Sequence, residues 1–93
     1  MTEDNIILIG NKPFMKYVTS VVMMFKKMEM KEVIVKARGI LTSKAIDVVE
    51  VVMKNFLKDV KVNEVKIDSM EMENKMKKKI NVSVIEIRLR KLK

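Results

Sequence analysis

The fold turns on the stretch "KEVIVKARGILTSKAIDVVE", Lys31–Glu50. Residues 31–38 are β-branched in the middle and stop at Gly39, the pattern of a strand. Thr42 or Ser43 can then cap a helix that runs to about Phe56. On that helix Ser43, Asp47, Glu50 and Lys54 make a narrow polar stripe. The rest is apolar: Ala45, Ile46, Val48, Val49, Val51, Val52, Met53 and Phe56. A helix this apolar around its circumference needs cover on more than one side. One cover is the sheet of its own chain; the other is read as a second subunit.

The N-terminal side repeats the pattern. Asn5–Ile9, "NIILI", is a short apolar strand ending at Gly10. Pro13 fits the first position of a helix, where its missing N–H costs nothing. Phe14, Val18, Val21, Val22 and Phe25 then recur at helical spacing to about Lys27. The order is β-α-β-α, with a Gly and a basic residue at each strand-to-helix turn. Lys12 stands at the first turn, and Arg38 and Lys44 flank the second. Such turns aim backbone N–H groups and the positive helix end at one spot. Neither has the spacing of a Walker loop. Two readings stay open, ordinary connections or a pair of anion sites on one edge of a parallel pair.

Residues 61–91 read as one long hairpin. Pairing positions whose numbers sum to 152 sets Val65 opposite Ile87, Ile67 opposite Ile85, Met70 opposite Val82 and Met72 opposite Ile80. It also sets Lys66 against Glu86 and Glu73 against Lys79. Apolar and charge pairs in one register mark an antiparallel ladder. The apolar side is 65 and 67 near the base and switches to 70, 72, 80 and 82 beyond Ser69 and Ser83. The base is expected to pack on the chain's own helices, and the outer half on a partner, unless a bulge near 68–69 absorbs the switch. Met76 falls at the tip among Lys75, Lys77, Lys78 and Lys79.

The chain has 93 residues and a net charge of +8, enough for one domain, 1–93, with a single core. Residues 74–93 carry eight basic side chains against Glu86 alone, so almost all the excess lies in the last fifth. Charge of this kind points to polyanions, nucleic acid first. There is no His and no Cys. The usual proton shuttle, thiol nucleophile and transition-metal ligands are therefore missing, and no metal or cofactor is expected. The acidic start, the lack of cysteine and the absence of any membrane-length apolar run point to the cytoplasm.

"NIILIGNKPFMKYV", "VIVKARGILTSKAIDVVE" and the terminal "VIEIRLRKLK" together resemble the Alba family of archaeal chromatin proteins, over nearly the whole chain. The resemblance implies an α/β chain in the α+β two-layer sense, β-α-β-α-β-β, with two helices on one face of a mixed four-stranded sheet and a long hairpin arm. It implies a homodimer that binds double-stranded DNA and RNA and is associated with the chromosome. Candidate nucleic-acid contacts are then Lys12, Lys16, Arg38 and Lys44 on the body and Lys75, Lys77, Lys78 and Lys79 on the arm. Candidate dimer or dimer–dimer contacts are Phe56, Met70, Met72, Ile80 and Val82. Phe56 matches the aromatic through which family dimers touch along DNA. Three positions depart from the family pattern. Asn11 replaces the first lysine of the first turn, the acetylated one, and Ile40 and Asn55 replace basic residues. Fewer charges imply a weaker or more selective binder than an abundant packaging protein.

The expected function is thus binding of duplex DNA through phosphate contacts. Structured RNA, as in ribonuclease P-like subunits, is the second reading. With one tyrosine and three phenylalanines, a stacking platform for single strands is not expected. Asp47/Glu50 and Glu71/Glu73 are the best carboxylate pairs for an enzyme and read as solvated faces. Membrane binding does not fit a basic hairpin. Met23, Met24, Met28 and Met30 read as a compliant core.

Overall fold

The computed structural model describes residues 5–92. Strand β1 (Ile6–Leu8) leads into helix α1 (Phe14–Lys26), followed by β2 (Glu32–Arg38), a short 3₁₀ turn (Gly39–Leu41) and helix α2 (Thr42–Val51). The last turn of α2 widens into a π turn, Val52–Phe56, before the two long strands β3 (Val60–Glu73) and β4 (Lys79–Lys91). The sheet order is β1-β2-β4-β3. β1 and β2 are parallel; β4 runs antiparallel to both of its neighbours. The β-α-β-α-β-β order and the mixed sheet are those expected from sequence.

The core lies between the helices and one face of the sheet. Val33, Val35 and Ala37 alternate inward from β2, and their partners Leu89, Ile87 and Ile85 do the same from β4. Val18, Val21 and Phe25 from α1 and Ala45, Val48, Val49 and Val52 from α2 close over them. Strand alternation and helical periodicity therefore meet in one apolar layer. The polar stripe of α2, Ser43, Asp47, Glu50 and Lys54, faces solvent, and Lys54 pairs with Glu50 at 3.6 Å.

The hairpin register is the expected one at every pair, from Val65 opposite Ile87 to Glu73 opposite Lys79. Several expectations around it need correction. The irregularity lies between Val62 and Glu64, and the ladder is unbroken from 64 to 73, so no bulge at 68–69 absorbs the change of apolar side. Only the β4 half of the hairpin base packs under the chain's own helices, through Ile85, Ile87 and Leu89, whereas Val65 and Ile67 of the β3 half do not. α1 lies over β1 and β2, and α2 over β2 and β4. Val65 and Ile67 share a face with the buried Ile87 and Ile85, yet they remain 48% and 79% exposed. Two helices cover three strands, and the edge strand is left open.

Local charge pairing also differs from the register. Lys79 bridges diagonally to Glu71 at 3.8 Å instead of to Glu73, and Glu86 pairs with Lys36 at 3.4 Å and with Arg88 instead of with Lys66. Neither Thr42 nor Ser43 caps α2, whose first turn has no side-chain cap; Thr42 bonds backward. Its hydroxyl donates to the Gly39 carbonyl at 3.0 Å, within the 3₁₀ turn that starts the helix early. Gly39 has φ +61°, the left-handed backbone that glycine adopts without strain. Of the four clustered methionines, Met24 is buried and Met30 packs against the core, whereas Met23 and Met28 are exposed.

Candidate nucleic-acid interface

Topology brings the two strand-to-helix turns and the arm to one edge. β1 and β2 are parallel, so the turns that follow them, at 10–13 and 38–42, leave the sheet on the same side. Arg38, the last residue of β2, lies opposite Val84. Residues 79–83 of β4 and 69–73 of β3 therefore continue past that same edge as a free two-stranded arm. Five residues at strand rise carry it about 17 Å beyond the body. The chain is 46 Å along its longest axis against 24 Å across.

The arm ends in a built tip. The Asn74 N–H donates to the Lys78 carbonyl at 2.9 Å, and the Lys77 N–H donates back to the Asn74 carbonyl at 2.9 Å. The Asn74 side-chain oxygen accepts the N–H groups of Met76 at 2.9 Å and Lys78 at 3.0 Å. One asparagine thus satisfies the turn from inside, as Asx turns do. Lys77 takes the left-handed position with φ 61°, where a three-residue hairpin loop usually places glycine. Lys75, Lys77 and Lys78 are exposed and make no ion pair among the described residues. Lys79 is partly neutralised by Glu71.

On the body, Lys12, Lys16 and Arg38 are exposed and likewise form no ion pair among the described residues. Arg38 rims an open depression of about 600 Å³ on the sheet face away from the helices, with Leu8, Lys66, Met70 and Val84 among its other walls. Lys44 is placed differently. Its ammonium donates to the carbonyls of Gly10 at 2.8 Å and Lys12 at 2.7 Å, so it reaches across from the second turn to brace the first. It also lies 5.0 Å from the Tyr17 ring centre. The Tyr17 hydroxyl accepts the N–H groups of Gly10 at 2.9 Å and Lys12 at 3.2 Å. A Cβ on Gly10 would stand 3.1 Å from that hydroxyl and would press on it.

Sequence reasoning placed Tyr17 near the core and missed this contact. The available signal was a lone tyrosine one turn after the loop, a side chain whose buried ring needs a partner for its hydroxyl. Arg88 was missed as well. It lies 2.7 Å from Glu32, 3.4 Å from Glu64 and 3.4 Å from Glu86, joining three strands on the face opposite the helices. The hydrogen bond to Glu32, with the nearby carboxylates, holds its guanidinium above its usual range. With Lys36 on Glu86, that part of the face sets two cations against three carboxylates.

The predicted interface residues fall on two surfaces. Met70, Met72, Ile80 and Val82 lie on the outer arm, on the sheet face away from the helices, with Met70 and Ile80 exposed and the other two half-buried. Phe56 ends the π turn and is 47% exposed. Ile46 lies roughly 200° around α2 from Lys44, on the flank turned away from α1, and is exposed. With Phe56 and the open face of β3 (Val62, Val65, Ile67), it adds exposed apolar side chains, of which sequence reasoning had assigned Val65 and Ile67 to the chain's own core. Among the described residues no helix is long and apolar enough to cross a membrane. Among the described residues no cluster of acidic side chains has the arrangement of a metal site.

The family model for Alba matches residues 5–69. A DNA/RNA-binding protein Alba from Methanocella arvoryzae is 46% identical over 91 residues, covering 98% of this chain and 94% of its own. One from Methanothrix thermoacetophila is 47% identical over 91 residues, covering 98% of this chain and 100% of its own. The solved structure of Alba from Thermoplasma volcanium superimposes with a TM-score of 0.88 at 40% identity, covering 94% of this chain and all of that one. From the strand–turn–helix pairs to the long hairpin, the chain belongs to the Alba family.

Proposed function

We propose that this protein is a dimeric, non-enzymatic binder of duplex DNA, acting in the cytoplasm in association with the chromosome. The relatives named above are called DNA/RNA-binding proteins, which supports nucleic acid as the ligand class. The observation that carries the reading is convergence. Six cations without a carboxylate partner among the described residues (Lys12, Lys16, Arg38, Lys75, Lys77 and Lys78) belong to the two turns, the first helix and the arm that leaves by the same edge. Contacts of this type recognise phosphate and fix register on a duplex without reading bases.

The dimer is supported by the uncovered apolar surface of α2 and β3, since water-exposed patches of this kind mark association sites. A two-fold axis would give two arms. In this reading Met70, Met72, Ile80 and Val82 take the partner's cover on the outer arm, and Phe56 takes contact with a second dimer on DNA. Asn11, Ile40 and Asn55 remove three body charges of the family pattern, and Ile40 is almost fully exposed. The body should therefore contribute fewer phosphate contacts than in a packaging protein.

Competition between labelled duplex DNA and unlabelled duplex RNA at fixed salt tests the choice of polymer. Comparable or better competition by DNA is expected. A strong preference for RNA would replace this reading with that of a structured-RNA binder.

A further inference from the structure

Of the four body cations read from sequence as phosphate contacts, Lys44 is the one whose donors are already engaged inside the protein. Two of its three N–H donors end on carbonyl oxygens, at 2.7 and 2.8 Å. Both oxygens belong to the first turn, 34 and 32 residues earlier in the chain. The same turn is held from the other side by the Tyr17 hydroxyl, which accepts the amides of the same two residues, Gly10 and Lys12. Donor and acceptor of both residues are thereby fixed, and the ammonium sits over the ring that completes the clamp. Lys12 itself projects into solvent from this braced backbone.

We propose that Lys44 is a positioning residue: with Tyr17 it locks the Gly10–Lys12 turn so that Lys12 meets a phosphate, and it contributes little phosphate contact of its own. This rests on the duplex-binding reading above. A lysine used only as a point charge is replaceable by arginine, which binds phosphate at least as well. A compact ammonium that must reach two carbonyls in one turn is not, because the guanidinium is planar and its donors diverge.

The test uses the full chain and a random-sequence duplex DNA, with Lys44→Arg, Tyr17→Phe, Lys12→Ala and the Lys12→Ala/Lys44→Arg double variant. Affinity is measured from 50 to 200 mM salt, and amide hydrogen exchange at Gly10 and Lys12 is followed in the free protein. Lys44→Arg and Tyr17→Phe should both raise exchange at these two amides. Lys44→Arg should flatten the salt slope by about 0.9 per protomer, a roughly threefold smaller change over that salt range, as Lys12→Ala does. In the Lys12→Ala background Lys44→Arg should add nothing. Unchanged exchange, wild-type binding by Lys44→Arg, or additive losses in the double variant would each overturn the proposal. A wild-type chain that fails to bind duplex at 50 mM salt would instead overturn the reading beneath it, while the exchange result still reports on the clamp.

Discussion

Ile67→Asp separates the proposed dimer from the fold. Ile67 is 79% exposed in the single chain, so it contributes little to that chain's own core. Fully burying an isoleucine is worth roughly 1.5–3 kcal/mol. Covering the exposed four fifths would then recover about 1–2.5 kcal/mol per copy, or about 2–5 kcal/mol for the two copies of a symmetric dimer. At 1.4 kcal/mol per tenfold, its loss weakens dimerisation by about thirtyfold to a few thousandfold. The carboxylates add to this, because an unpaired charge resists removal from water. Sedimentation equilibrium over a concentration series reads the association constant, and far-UV circular dichroism confirms that the monomer retains its secondary structure. Unchanged association of Ile67→Asp would refute the placement of the interface on β3. A wild-type chain that stays monomeric at high micromolar concentration would refute the dimer.

Other perturbations test other parts of the account. Lys77→Gly should stabilise the arm by about 1 kcal/mol by relieving the left-handed backbone, seen as increased protection of the Asn74 and Lys78 amides, although it removes one tip charge. Arg88→Met should leave Glu32, Glu64 and Glu86 close together with Lys36 as the nearest cation. Protonation would relieve that repulsion, so the variant should gain stability relative to wild type as pH is lowered from 7 to 4 in thermal melts. In the wild type the raised Arg88 group stays charged through neutral and moderately alkaline pH. Its contribution is fully present there and is lost only as pH rises through the folded-state value.

The hairpin was legible because two independent constraints coincide. Val65/Ile87 through Met72/Ile80 fix which residues face together, and the charge pairs exclude a one-residue slip that would turn every side chain over. The strand–Gly–helix units were legible for a similar reason, since period two changes to period 3.6 at a residue able to turn. What failed was the question of which chain covers an apolar face. Val65 and Ile67 carry the same alternation whether a helix of their own chain or a partner packs on them, and only the placement of α2 over β2 and β4 decides it. The Tyr17–Lys44 clamp was out of reach for another reason. It joins Lys44 to carbonyls more than thirty residues away, and backbone acceptors leave no mark on side-chain patterning. Arg88 gathers partners from β2, β3 and β4, a grouping that exists only once all three strands are in register.

In the proposed complex, cations without a carboxylate partner among the described residues, set along the turn edge and carried outward by the arm, grip a duplex through its phosphates. Measuring the salt slope of duplex DNA binding for wild type and for the Lys75/Lys77/Lys78→Ala variant tests it most directly. Three contacts amount to a slope change of up to about 2.7 per arm, so a steep wild-type dependence and a markedly flatter one for the variant are expected, with the dimer intact. Equal slopes and equal affinities would contradict it.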